Sequence, residues 1–227
     1  MPEPLVESAG PGKALAAVRQ RIVEACRRAD RHPDDVRLIG VTKSVPPAEV
    51  RRAAAAGLRE LGENYVGEME AKRAAAPEAT WHFIGRLQRN KVRRVLDVAD
   101  VVQTLEPGRA TERLAEVAAE RERVMRCMVE VDFTGSRVGV GPDQAEEFLA
   151  RLERVPSLDV IGLMTVAPLD RPPRPYFARL RELRDRLSTV FPSLRELSMG
   201  MSADYEEAVE EGATMVRVGS AIFGPRP

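Results

Sequence analysis

Only four of the chain's 35 cations are lysines, Lys13, Lys43, Lys72 and Lys91; the rest are arginines. Lys43 stands where a bare cation is costly. It closes the apolar run Val36–Thr42, and an ammonium at the end of a buried strand needs a partner or a shifted pKa. Two readings fit it: an amine that forms a Schiff base with a carbonyl compound, or a rim lysine whose stem packs while its head reaches water. Farther along, Ser198-Met199-Gly200-Met201-Ser202-Ala203-Asp204 sets small residues and hydroxyls just before a helical pattern, where exposed backbone N–H groups suit a phosphate. Gly219-Ser220 repeats that arrangement after Val216-Arg217-Val218. Ser202 reads equally well as a helix N-cap. Arg217 lies within an apolar strand, and a guanidinium that keeps its proton needs an acceptor there; the plain alternative is a structural ion pair with a Glu or Asp.

Other polar residues carry less by themselves. Asn64, after Leu61-Gly62-Glu63, is a polar contact or the N-cap of the next helix. His82 alternates with apolar neighbours in Trp81-His82-Phe83 and points inward, either as a satisfied core residue or in support of a site. Met164 is packing, or the lining of a planar ligand. Gln88, Asn90 and Lys91 form a polar cluster that suits the capping of a helix.

All these residues fall on or just past eight short apolar runs: Val36–Thr42, Leu58–Gly62, Thr80–Ile84, Val101–Leu105, Val124–Val131, Leu158–Met164, Leu194–Met199 and Met215–Val218. Near-continuous apolar character, as in Leu38-Ile39-Gly40-Val41, suits strands buried on both faces. Amphipathic patterns lie between the runs: Pro46–Ala53 with Gly57 closing it, Glu63–Ala76, Asn90–Val98, Arg109–Arg123, Asp143–Arg154, Tyr176–Val190 and Ala203–Glu211. One more, Gly12–Ala29, precedes the first run, and Pro168–Pro175 reads as a loop after the sixth. Eight right-handed βαβ units predict a single (β/α)8 TIM barrel with an extra N-terminal helix; the rival is an open doubly wound sheet. Both folds bind ligands at the C-terminal ends of the strands. An amine at strand one, an anion cradle at strands seven and eight and an inward Arg at strand eight then describe one site. A phosphorylated aldehyde fits it, and pyridoxal 5′-phosphate is the expected cofactor.

Bulk properties narrow the classes further. At about 150 residues per domain, 227 residues make one large domain or two small ones, and nothing of linker composition divides the chain. The expectation is one domain over 1–227, with about residues 1–11 disordered. Arg plus Lys equals Asp plus Glu, which argues against nucleic acid and acidic membranes as partners. No apolar run reaches the length of a membrane span, and no signal peptide is visible. Cys26 and Cys127 have neither disulfide nor zinc spacing, so the expected setting is the cytoplasm, with no metal. Lys13 and Lys72 fall in polar helical stretches.

The motifs carry a resemblance. Leu38-Ile39-Gly40-Val41-Thr42-Lys43, Leu61-Gly62-Glu63-Asn64-Tyr65, Trp81-His82-Phe83-Ile84-Gly85-Arg86-Leu87-Gln88, Gly162-Leu163-Met164-Thr165, the Ser198–Asp204 segment and Arg217-Val218-Gly219-Ser220-Ala221-Ile222-Phe223-Gly224 occur in order over nearly the whole chain. Together they resemble the pyridoxal phosphate homeostasis protein family (the YggS/PROSC family). The resemblance implies a barrel similar to the alanine racemase N-terminal domain, with Lys43 at the Schiff-base position and Arg217 facing the pyridine nitrogen. It implies Ser198, Ser202, Gly219 and Ser220 at the phosphate, and Asn64, His82 and Met164 around the ring. It also implies binding, storage and delivery of the cofactor to pyridoxal-phosphate-dependent apo-enzymes. One stretch departs: Val131-Asp132-Phe133-Thr134-Gly135-Ser136-Arg137-Val138-Gly139-Val140 lacks the Asn after the strand and the Lys before the Gly of the common pattern.

Three functions compete: a cofactor-holding protein, a racemase-like enzyme of weak activity, and a sugar-phosphate enzyme with Lys43 as its amine. The resembling racemases carry a second, β-rich domain that supplies a catalytic Tyr, whereas this chain ends at Pro227 after its eighth unit. Tyr65, Tyr176 and Tyr205 lie in or beside helical stretches, and two-base racemisation needs a second proton donor. The expectation is therefore binding without robust turnover, in a monomer.

Overall fold

Strands apolar on both faces need cover on both, and here they find it by closing on themselves with the helices outside. The structure, a computed structural model, describes residues 10–225. Eight parallel strands form a closed barrel in sequence order: β1 (Arg37–Val41), β2 (Glu60–Glu63), β3 (Thr80–Phe83), β4 (Val101–Leu105), β5 (Met125–Glu130), β6 (Leu158–Met164), β7 (Glu196–Ser198) and β8 (Met215–Val218), with β8 pairing back onto β1. Helix α1 (Pro11–Arg28) precedes the barrel. The strands are followed in turn by α2 (Pro47–Ala55), α3 (Val66–Arg73), α4 (Val92–Val98), α5 (Arg109–Glu120), α6 (Ala145–Leu152), α7 (Arg174–Ser188), α8 (Tyr205–Glu210) and α9 (Ser220–Phe223). The open-sheet alternative is thereby excluded. The segment expected to be disordered lies outside the described residues, except that Gly10 is described and Pro11 already opens α1.

Two apolar cores result. Outward-facing strand residues such as Leu61, Trp81, Val102 and Leu197 pack under the helices. Inside the barrel, Ile39, Val101, Met128, Ile161, Met164 and Met215 form a separate plug. Above that plug the inward positions turn polar, with His82, Gln103, Ser198 and Arg217 all buried. Helix α1 presents Leu15, Val18, Ile22 and Ala25 as one buried stripe, and Arg28 reaches Glu206 and Glu210 of α8.

Several boundaries differ from the sequence pattern. The stretch Glu63–Ala76 is not helical from its start: Glu63 ends β2, and α3 begins at Val66 with Tyr65 as its uncapped N-cap. Asn64 is therefore not a cap. Strand β7 spans three residues rather than six, and a 3-10 turn, Arg89–Lys91, precedes α4. Among the described residues both cysteines are free, no His/Cys/Asp/Glu cluster could hold a metal, and no helix is long and apolar enough to cross a membrane.

Candidate functional site

The loops after the strands enclose a cavity of about 1030 Å³ at the C-terminal end of the barrel. Of the residues singled out from sequence, Lys43, Asn64, Ser202, Arg217, Gly219 and Ser220 line it. His82, Met164 and Ser198 do not. They are buried beneath: Met164 in the apolar plug, His82 and Ser198 in the polar layer over it.

Lys43 projects from the turn after β1. Ser44, next to it, holds a left-handed φ of 62°, a conformation that non-glycine residues adopt only when surroundings impose it. The restraint is visible: the Ser44 N–H donates to Glu68 Oε2 at 2.8 Å. Glu68 in turn accepts from Lys72 Nζ at 2.6 Å, and the same ammonium donates to Glu63 Oε1 and to the Thr42 carbonyl, each at 2.6 Å. Lys72 is thus not on a solvated helix face, as its polar surroundings in sequence suggest. It is buried, the bridge between β1, β2 and α3 beneath Lys43. Burial raises the Glu68 carboxyl, but the hydrogen bonds from Lys72 and Ser44 and the nearby Lys43 charge hold it below the usual range. The Lys43 ammonium lies 5.3 Å from the centre of the Tyr65 ring.

Asn64 is placed by a close approach. A Cβ on Gly85, after β3, would lie 2.0 Å from the Asn64 carbonyl oxygen, so only glycine lets the two strand ends meet there. The opposite wall comes from β7 and β8. Gly200 has φ +86°, and a Cβ on it would sit 2.5 Å from Ala208 Cβ, which ties the loop after β7 to α8. That loop delivers Ser202, whose Oγ accepts from the Gly219 N–H at 3.1 Å and the Ala221 N–H at 3.4 Å. Ser202 therefore joins the two loops instead of capping α8; its own proton is free for a ligand.

Arg217 forms part of the floor. Its Nη1 donates to Ser198 Oγ at 2.6 Å and its Nη2 to the Thr165 carbonyl at 2.8 Å. Burial pulls the guanidinium down to about 10, which leaves it charged at neutral pH. Among the described residues no carboxylate pairs with it directly; its acceptors are neutral, and Glu130 and Asp204 act on it only through space. Glu130, at the end of β5, is pushed up to about 7 by burial, against the pull of Arg137 and Arg217.

The pattern of residue types missed one wall. Thr134, Ser136 and Arg137, all in the divergent loop after β5, line the cavity, as do Ala167 to Asp170 after β6. The first loop is folded around Asp132, which accepts from the Thr134 hydroxyl and from the Thr134 and Arg137 N–H groups. The available signal was position alone: both segments follow strands at the end of a barrel where ligands bind.

The family model of the alanine racemase N-terminal domain matches residues 14–227. A pyridoxal phosphate homeostasis protein of Aquifex aeolicus is 40% identical over 220 residues, covering 93% of this chain and 96% of that protein. One from Pseudomonas aeruginosa is 36% identical over 216 residues, covering 93% and 94%. Among solved structures, PipY of Synechococcus elongatus PCC7942 with PLP bound superposes with a TM-score of 0.83 at 36% identity, covering 94% of this chain and all of that one. Alanine racemase of Clostridium difficile 630 gives a TM-score of 0.74 at 15% identity over 92% of this chain and 60% of its own, a likeness of fold.

Proposed function

The chain belongs to the pyridoxal phosphate homeostasis protein family, and from that premise we propose that it binds pyridoxal 5′-phosphate in the cavity at the C-terminal ends of its strands. One observation carries the reading: a primary amine, a charged guanidinium and a group of hydroxyl and backbone donors line the same cavity, on the turn after β1, on β8 and on the loops after β7 and β8. When bound, the cofactor supplies an aldehyde that bonds reversibly to a primary amine. Lys43 is the one lysine among the lining residues and provides that amine as a Schiff base. Ser202, Gly219 and Ser220 receive the phosphate, and Asn64 borders the ring. Arg217 holds N–H groups toward the ring nitrogen. Because Arg217 keeps its proton, that nitrogen remains an acceptor and the ring is a weak electron sink, which favours holding the cofactor over carbanion chemistry. Ser198, His82 and Met164 support this floor from below. The protein thereby serves to store the cofactor and hand it to apo-enzymes.

The test is an absorption spectrum. The purified protein with added pyridoxal phosphate should absorb near ~420 nm, and Lys43→Ala should abolish the band. A protein that stays colourless overturns the reading. Transfer is followed as loss of the band on mixing with a pyridoxal-phosphate-dependent apo-enzyme, with gain of that enzyme's activity. Steady racemisation of single amino-acid enantiomers, lost in Lys43→Ala, would replace storage with catalysis.

A further inference from the structure

Five buried or half-buried side chains from five strands form one unbroken hydrogen-bonded chain across the barrel. Arg217 Nη1 donates to Ser198 Oγ at 2.6 Å. The Ser198 hydroxyl donates to Gln103 Oε1 at 2.7 Å. Gln103 Nε2 meets His82 Nδ1 at 2.9 Å, and His82 Nε2 meets Glu60 Oε2 at 2.5 Å. Proton accounting fixes its direction. A guanidinium has no acceptor, so Ser198 Oγ must accept from it and spend its own proton on Gln103. With its oxygen so occupied, Gln103 presents its NH2 to His82, which must therefore offer a lone pair at Nδ1 and carry its proton at Nε2 toward the Glu60 carboxylate. Every donor points the same way, from a cation to an anion, the arrangement in which successive bonds reinforce one another. A second proton on His82 would set N–H against N–H at Gln103.

We propose that Gln103 and His82 are positioning residues: acting through Ser198, they fix the Arg217 guanidinium so that its remaining N–H groups face the cavity. Neither touches the cavity. The inference rests on the pyridoxal phosphate reading for what Arg217 is held toward, but the chain of bonds exists without it. Gln103 was not singled out from sequence, because a lone Gln in an apolar strand carries no motif.

The free protein gives the first readout. The sequence has two histidines, His32 and His82, so 15N spectra of the imidazoles resolve the buried one. His82 should show the Nε2–H tautomer alone in the parent and a tautomer mixture in Gln103→Met, a substitution that keeps the volume and removes the bonds. The Arg217 Nε–H resonance, identified by its absence in Arg217→Lys, should exchange with solvent about tenfold faster in Gln103→Met, the factor one lost hydrogen bond supplies. In the loaded protein the ~420 nm band should shift or broaden in Gln103→Met while Lys43 still binds. Ser198→Ala, which cuts the chain nearer Arg217, should reproduce the faster exchange and the spectral change with His82 unaltered, and it decides the matter if Gln103→Met does not fold. An unchanged tautomer with unchanged Arg217 exchange overturns the proposal. Absence of any band in the parent overturns the cofactor reading instead, and leaves the two resonance measurements to decide the positioning role.

Discussion

At the scale of the residue, burial decides what a charge is for. Lys43 and Lys72 are 29 positions apart in a chain that otherwise prefers arginine, and they meet under one cavity wall through Glu68. Lys43 faces the cavity. Lys72 is spent on Thr42, Glu63 and Glu68, and the Glu63 side chain is wholly buried beside it. Replacing Lys72 by Met would leave that carboxylate without its cation, so Lys72→Met should destabilise the protein by about 3–5 kcal/mol, the usual cost of orphaning one partner of a buried pair. The midpoint of urea unfolding measures it; a midpoint within error of the parent would show that the pair contributes nothing. Because the same network holds the Ser44 N–H, the variant should also loosen the Lys43 turn and weaken the ~420 nm band. The Lys43 position was legible in sequence because a strand-closing amine is anomalous by itself. The role of Lys72 was not, because Glu68 sits one turn away on its own helix, as in many solvated pairs, and only the packing of α3 against β2 brings Glu63 and burial to it.

At the scale of the element, the sequence pattern reached every strand and helix but not the depth of each inward residue. Alternation marks His82 as facing into the barrel, and the resemblance sets Ser198 and Met164 about the same site. Which layer they occupy depends on the stagger of neighbouring strands, a property of closure that no single strand encodes. Hence Ser198, expected at the phosphate, does not line the cavity but is buried against Arg217, and Ser202, a residue with two readings in sequence, is the hydroxyl that joins the loops. The loop after β7 can deliver Ser202 only through Gly200. Gly200→Ala should cost about 1–3 kcal/mol for the left-handed backbone alone, and the 2.5 Å contact with Ala208 Cβ adds to it. In a domain of this size each kcal/mol lowers Tm by about 2–4 °C, so calorimetry should find the drop. Affinity for pyridoxal phosphate should fall in parallel, while Gly85→Ala, which displaces Asn64 instead, tests the other wall.

At the scale of the whole molecule, the titrating groups pull stability in opposite directions as pH changes. Burial raises the Asp100 carboxyl, but hydrogen bonds from Arg73 and the Trp81 N–H bring it below its usual range; hydrogen bonds from Thr134 and the Arg137 N–H do the same for Asp132, as those from Lys72 and Ser44 do for Glu68. Acids lowered by folding contribute stability that is present above their unfolded pKa and lost as pH falls through the folded one. Glu130 runs the other way. Folding raises it from 4.5 to about 7, so the folded chain binds a proton more tightly than the unfolded one. Its contribution is complete below the unfolded value and is lost as pH rises through about 7, by an amount on the order of 3 kcal/mol over the full shift. Stability should therefore peak on the acid side of neutrality and decline from about pH 4.5 to about pH 7. Glu130→Gln keeps the shape and removes the ionisation, so its unfolding free energy should be nearly flat over that interval and exceed the parent's at the alkaline end. Parallel denaturant titrations of the two proteins measure the difference, and equal slopes would mean that the Arg137 and Arg217 charges hold Glu130 ionised throughout. The same comparison bears on the site: once ionised, Glu130 places a negative charge opposite Arg217, so in the parent the strength of cofactor binding should follow the Glu130 titration, and in Glu130→Gln that part of the pH dependence should disappear.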